Sequence, residues 1–171
     1  MGAGLIGLGV VMNLKAAGVT KIISCDISDK RLKAAGELGA HVLINGDTED
    51  VLAQVMKETG GRGADMVLEV AGVPKTFHQA IACVRRGGRI SVVAYFEEPV
   101  DFRPHHLINK GVRIQPGGGG NFLDSFDLVK SGAVKEEQVV SHVFPLDKIS
   151  EAHETAIDTK GSIKVMIAPW M

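Results

Sequence analysis

Short apolar, β-branched runs alternate with helical patterns through the first two-thirds of the chain, and that rhythm admits very few folds. "KIISCD" (21–26), "HVLIN" (41–45), "ADMVLEVAG" (64–72) and "RISVVAYF" (89–96) read as strands. Between them "DKRLKAAGELG" (29–39), "DTEDVLAQVMKETG" (47–60) and "PKTFHQAIACVRRGG" (74–88) read as helices, the second with Val51, Val55 and Leu52 facing inward. Strands this apolar, separated by helices, predict an α/β architecture: a doubly wound parallel sheet covered on both faces. After residue 97 the rhythm changes. "EEPVDFRPHHLINKGVRIQPGGGG" reads as a connection with a short strand near 111–115. A helix (121–132), a strand, turn and helix (141–158) and a last strand (162–169) make a C-terminal α/β extension.

Composition narrows the partners. The net charge is −1 and no basic run exceeds two residues, which argues against nucleic acid or an anionic membrane. The two cysteines, Cys25 and Cys83, make neither a disulfide framework nor a metal cluster. No signal peptide and no spanning apolar stretch are visible, so a cytoplasmic protein is expected.

The chain opens "MGAGLIGLGVVMNLKAAG", where Gly2, Gly4 and Gly7 satisfy G-x-G-x-x-G ahead of a helical pattern. In a dinucleotide site the first glycine makes a tight turn. The second lets backbone approach a pyrophosphate, and the third lets the helix pack on the sheet. The helix N-terminus then faces the phosphates with free N–H groups. Alone the motif is weak in a chain with 21 glycines. Asp26 strengthens it, because it ends "KIISCD" at 19 residues past Gly7, close to the offset of a ribose-binding acid. A carboxylate there accepts from both ribose hydroxyls and repels a 2′-phosphate, so NAD is favoured over NADP. Asp26 could instead cap the following helix, although Ser28 or Asp29 already serves that purpose.

Taken whole, the sequence resembles the coenzyme-binding half of the medium-chain dehydrogenases, and is most similar to the zinc-dependent alcohol, polyol and threonine dehydrogenases. The likeness is carried by the fingerprint, "IISCDISDKRLKAAGELGA", "TGGRGADMVLEVAG", "AIACVRRGGRISVVAYF" and the segment from "LVKSGAV" to "SIKVMI". It implies an NAD-binding Rossmann domain over 1–118 and a segment, 119–171, that returns to the catalytic domain. In the strand order 3-2-1-4-5-6 the first strand precedes the fingerprint, so this sheet is expected to lack it. The strand at 162–168 is expected to fill that place or to pair with another subunit.

The resemblance implies an oxidoreductase that moves hydride between nicotinamide and a secondary alcohol, polyol or hydroxy-amino acid. It also implies a homodimer through 111–116. Zinc is expected only in a catalytic domain outside this chain, which by itself is then not catalytically competent. A non-catalytic dinucleotide-binding module or an inactive remnant is the alternative. Gly2, Gly4, Leu5, Ile6 and Gly7 match the pyrophosphate loop, Asp26 the ribose acid and Arg31 a basic residue beside the ribose. Ala71 and Gly72 match a strand end on the adenosine side. Ala94, Tyr95 and Phe96 match the strand end near the nicotinamide, and Pro116, Gly117 and Gly118 the backbone that meets the carboxamide. Lys164 matches a basic residue reaching the pyrophosphate. By chemistry alone Arg31 could be a solvated helix charge and Lys164 an exposed strand lysine. No catalytic residue and no metal ligand is assigned; adjacent His105 and His106 point in different directions and have no third ligand nearby in sequence.

Overall fold

The structure, a computed structural model, describes residues 1–117 and 121–171. In chain order it runs α1 (Leu5–Ala16), β1 (Ile23–Asp26), α2 (Asp29–Leu38), β2 (Val42–Asn45), α3 (Val51–Glu58), β3 (Ala64–Glu69), α4 (Pro74–Cys83) and β4 (Val84–Val92). It continues with α5 (His105–Lys110), β5 (Arg113–Pro116), α6 (Phe122–Lys130), β6 (Val140–Pro145), α7 (Ile149–Ile157) and β7 (Lys164–Ala168). The chain divides into two compact units, Met1–Gly2 with Ile44–Gly119, and Ala3–Leu43 with Gly120–Met171.

The first unit is built on a parallel sheet of order β3-β4-β5, with Val67 opposite Ile90 and Ile90 opposite Ile114. Its core gathers Val67, Phe77, Ala80, Ile81, Val84 and Ile90. Phe77 meets Phe96 and Phe102 edge to face, with ring centroids 6.0 and 5.8 Å apart. Met1 bonds beside β3: its ammonium donates to the Leu68 carbonyl at 2.7 Å, and its own carbonyl accepts from the Val70 N–H at 3.0 Å. Those are the two bonds of a parallel neighbour.

In the second unit β6 pairs with β7 in parallel, with Val143 opposite Met166. Strand β1 pairs with β2. Leu8, Val11 and Met12 from α1 pack with Ala3, Ile22, Ala35, Leu38 and Val139. The spacing of those α1 residues puts them on one helical face, and full burial of a side chain such as Leu8 contributes about 1.5–3 kcal/mol. Pairing within the sheets follows the expected winding, since β2-β1 and β3-β4-β5 are the neighbours 3-2 and 4-5-6 of a doubly wound order. Among the described residues no strand pairs with both β1 and β3.

Four expectations are corrected. The last strand, β7, does not take the first strand's place, because its partner is β6. The helix expected to reach residue 88 stops at Cys83, and β4 begins at once. Lys110 Nζ ends it by donating to the carbonyls of Ile81, Ala82 and Val84 at 2.9, 2.6 and 3.1 Å. Part of the supposed connection is the helix α5, closed by Gly111 in the left-handed region at φ 61°. Finally, Leu52 is exposed while Val51 and Val55 are buried. Among the described residues, no helix is long and apolar enough to cross a membrane.

Candidate functional site

In the second unit the glycine loop ends at Gly4, the N-cap of α1, where no side chain caps the helix and no acid lies in its first turn. The Leu8 N–H makes its helical bond to the Gly4 carbonyl at 2.9 Å. The N–H groups of Leu5, Ile6 and Gly7 lie before it and have no carbonyl within the helix. A backbone-only end of this kind carries partial positive charge and suits an anion. Its approach is open: Leu5 and Ile6 are exposed, and the space a Gly4 side chain would fill is bordered by Arg31 Nη1 at 3.7 Å.

Asp26 ends β1 and reaches this loop. Its Oδ2 accepts from the Ala3 N–H at 2.6 Å and its Oδ1 from the Ser28 N–H at 2.9 Å. Each oxygen keeps acceptor capacity, since an ionised carboxylate offers about four lone-pair sites. The cap of α2 is Ser28, whose Oγ accepts from the Arg31 N–H at 3.4 Å. Asp26 is therefore not spent on capping. Arg31 is half-buried and its Nε donates to the Ser162 carbonyl at 3.0 Å, so its guanidinium is held rather than solvated. Lys164 is half-buried on β7, and its carbonyl accepts from Ser141 Oγ at 3.1 Å.

In the first unit Gly2 turns at φ +91°, where a side chain is strained, and a Cβ there would stand 3.1 Å from the Ala71 nitrogen, closer than a Cβ normally comes. Gly72 has φ +74° and lies against the Tyr95 carbonyl. Glu69, fully buried at the end of β3, organises the turn that follows. Its carboxylate accepts from the Ala71 and Gly72 N–H groups at 3.0 and 3.1 Å and from Thr76 Oγ1 at 2.7 Å. The strand expected to reach residue 96 ends at Val92, which puts Ala94, Tyr95 and Phe96 in the loop beyond it. Tyr95 is 97% exposed, whereas the Phe96 ring packs on Phe77. Pro116 closes β5 and is exposed, and the Gly117 N–H donates to the Val92 carbonyl at 2.7 Å. Gly118 lies outside the described residues.

Three features escaped the sequence reading. Ala3 binds Asp26 through its backbone, which no side-chain pattern reveals. Glu69 had a signal, since it is the one charge in the last six residues of "ADMVLEVAG". The third is a turn at 158–162 packed on the start of α2, about 130 residues away. Asp158 in that turn is held below the usual carboxylate range by the backbone N–H groups of Gly161 and Lys160.

Among the described residues no three of His, Cys, Asp or Glu cluster as a metal ion would need. The His105 and His106 rings meet edge to face, 4.4 Å apart, on an exposed helix, and both cysteines are buried. Among the described residues the donor set does not fit zinc. A concavity in the first unit is lined by Arg62, Asp65, Arg85, Arg86 and Lys110. Its cations are largely engaged, Arg62 and Arg85 with Asp65 and Lys110 with carbonyls.

A parallel α/β chain in which a glycine loop opens a bare helix end and hydrogen-bonds the acid closing the next strand is of the nucleotide-binding class. More particularly, this chain belongs to the zinc-binding dehydrogenase family, whose profile matches residues 6–131. It is 33% identical over 173 residues to the (R,R)-butanediol dehydrogenase of Bacillus subtilis, covering 98% of this chain and 49% of that protein. It is 31% identical to the L-threonine 3-dehydrogenase of Bacillus licheniformis, covering 99% of this chain and 50% of that protein. A solved alcohol dehydrogenase from Escherichia coli CFT073, complexed with NADH, superposes with a TM-score of 0.84 at 27% identity. That match covers 96% of this chain and 49% of the other. The chain spans about half the length of the curated relatives it matches.

Proposed function

We propose that this chain is the NAD(H)-binding portion of an oxidoreductase that transfers hydride between nicotinamide and a secondary alcohol, polyol or hydroxy-amino acid. The observation that carries the reading is Asp26. It ends β1, bonds the backbone of the glycine loop at Ala3, and is left free of helix capping by Ser28. The cofactor, when bound, supplies the hydride acceptor or donor.

The chain's own residues bind and orient it. Gly2, Gly4, Leu5, Ile6 and Gly7 would present backbone N–H groups to the pyrophosphate, with Lys164 adding charge, and Asp26 and Arg31 would hold the adenosine ribose. Ala71 and Gly72 would border the adenosine, while Ala94, Tyr95, Phe96, Pro116, Gly117 and Gly118 would line the nicotinamide end. The family division, a coenzyme domain over 1–118 and a returning segment over 119–171, belongs to the same proposal. So does a cytoplasmic setting, in keeping with two cysteines that are both buried.

The test is a fluorescence titration of the folded chain with NADH and then NADPH. Saturable binding at least tenfold tighter for NADH is expected, because a ribose carboxylate repels a 2′-phosphate. A folded chain that binds neither nucleotide overturns the reading.

We further propose a homodimer through 111–116. β5 is the edge of its sheet and every residue of it is exposed, Ile114 at its middle included. An uncovered edge of this kind is a template for pairing. Ile114→Lys should shift the sedimentation coefficient from dimer to monomer. A wild-type chain that sediments as a monomer at high concentration would remove this part of the proposal.

A further inference from the structure

The turn at 158–162 makes contacts that the cofactor reading leaves unused. Three consecutive carbonyls face the start of α2: that of Lys160 accepts from Ser28 Oγ at 2.8 Å, that of Gly161 from Lys30 Nζ, and that of Ser162 from Arg31 Nε at 3.0 Å. Such a row of acceptors needs a backbone fixed in one shape, and Asp158 fixes it. Its Oδ1 accepts from the Lys160 and Gly161 N–H groups at 3.1 and 2.9 Å. Its carbonyl accepts from the N–H and Oγ of Ser162 at 3.0 and 2.9 Å. Gly161 has no room for a side chain, since a Cβ would collide with the Asp158 carboxylate. Ser28 and Ser162 are each 2% exposed, so water competes little for the bonds those two residues make.

We infer that Asp158 is a positioning residue for the nucleotide site: by shaping the 158–162 turn it aims the Arg31 guanidinium across Gly4 toward the bound ribose and phosphate. The inference rests on the dinucleotide reading and deepens it. Asp158 itself touches no nucleotide. It acts through the Ser162 carbonyl, which takes up Arg31 Nε and leaves Nη1 beside the open space over Gly4. A long, freely rotating side chain loses entropy on being ordered by a ligand, and prior fixing removes that cost from binding.

The experiment titrates NADH against the full chain as wild type, Arg31→Ala, Asp158→Ala, Asp158→Asn, Asp26→Ala and the double variant Asp158→Ala/Arg31→Ala. Circular dichroism checks that each is folded. Arg31→Ala and Asp158→Ala should each weaken NADH about five- to tenfold. Asp158→Asn should bind nearly as wild type, because its amide oxygen still accepts the two N–H bonds. In the double variant the losses should not multiply, because both act on one group. Asp158→Ala binding like wild type overturns the inference, as does a multiplied loss in the double variant. Asp158→Asn as weak as Asp158→Ala overturns it too, by showing that charge matters and the turn does not. If the folded wild type binds no NADH, the dinucleotide reading falls and takes this inference with it. If it binds and only Asp26→Ala weakens it, the inference falls together with the place of Arg31 at the ribose, and the dinucleotide reading stands.

Discussion

Asp26→Ala should weaken NADH binding by roughly 10–100-fold while changing NADPH binding far less. The estimate follows from the bonds at stake. Hydrogen bonds to a charged group contribute about 1.5–3 kcal/mol each, and about 1.4 kcal/mol is tenfold in affinity. A loss worth one such bond therefore spans that range, since two bonds to a single carboxylate do not add in full. NADPH gains something in return, because its 2′-phosphate no longer meets a carboxylate and Arg31 stands nearby. The variant also strips Ala3, which is fully buried, of the acceptor for its N–H, so the glycine loop loosens for either nucleotide. Comparing the two titrations separates these effects. Parallel losses for NADH and NADPH would show that Asp26 only braces the loop, and its role at the ribose would be withdrawn.

How far the sequence reveals such a site depends on the range of the interactions that build it. The sheet order and most elements were readable because burial imposes local periodicity: Val51 and Val55 on α3, or Leu8, Val11 and Met12 on α1, declare a face within a single segment. Asp26 was readable because the offset from Gly7 is a property of one β-α-β unit. What local pattern did not carry was decided at a distance. α4 ends at Cys83 because Lys110 brings a cation to its last carbonyls from 26 to 29 residues away. With its end satisfied there, "VRRGGR" could join β4 instead of extending the helix. α5 has six residues, too few to display a helical period. Nothing in the sequence marked the 158–162 turn, because its contacts to α2 are made by carbonyl oxygens, which every residue has. The strand at 162–168 was misplaced for a related reason. An apolar strand is legible from its residues, but its partner is not, and that partner is β6.

Glu69→Leu should lower the melting temperature by about 5–15 °C, the largest loss of stability expected from a single site here. Glu69 is fully buried, and its carboxylate is the acceptor for three donors. Leucine fills much of the volume but accepts nothing, and an unpaired buried donor costs about 1–3 kcal/mol. The three costs do not simply add. Thr76 Oγ1 already shares its donor with the Val73 carbonyl at 2.9 Å, and exposed Ala71 can turn its N–H to water. The Gly72 N–H has no such escape, since a φ of +74° and the Tyr95 carbonyl against it fix that residue. A total of about 2–4 kcal/mol corresponds to the stated fall at roughly 2–4 °C per kcal/mol for a chain of this size. Glu69→Gln keeps one good acceptor for Ala71 and Gly72 and should lose only a fraction of that, while loosening the 70–73 turn enough to weaken NADH. Calorimetry of the three proteins decides the matter. A leucine variant melting with the wild type would mean that the 70–73 turn holds its shape without the carboxylate, and Glu69 would then have no part in orienting Ala71 and Gly72 toward a cofactor.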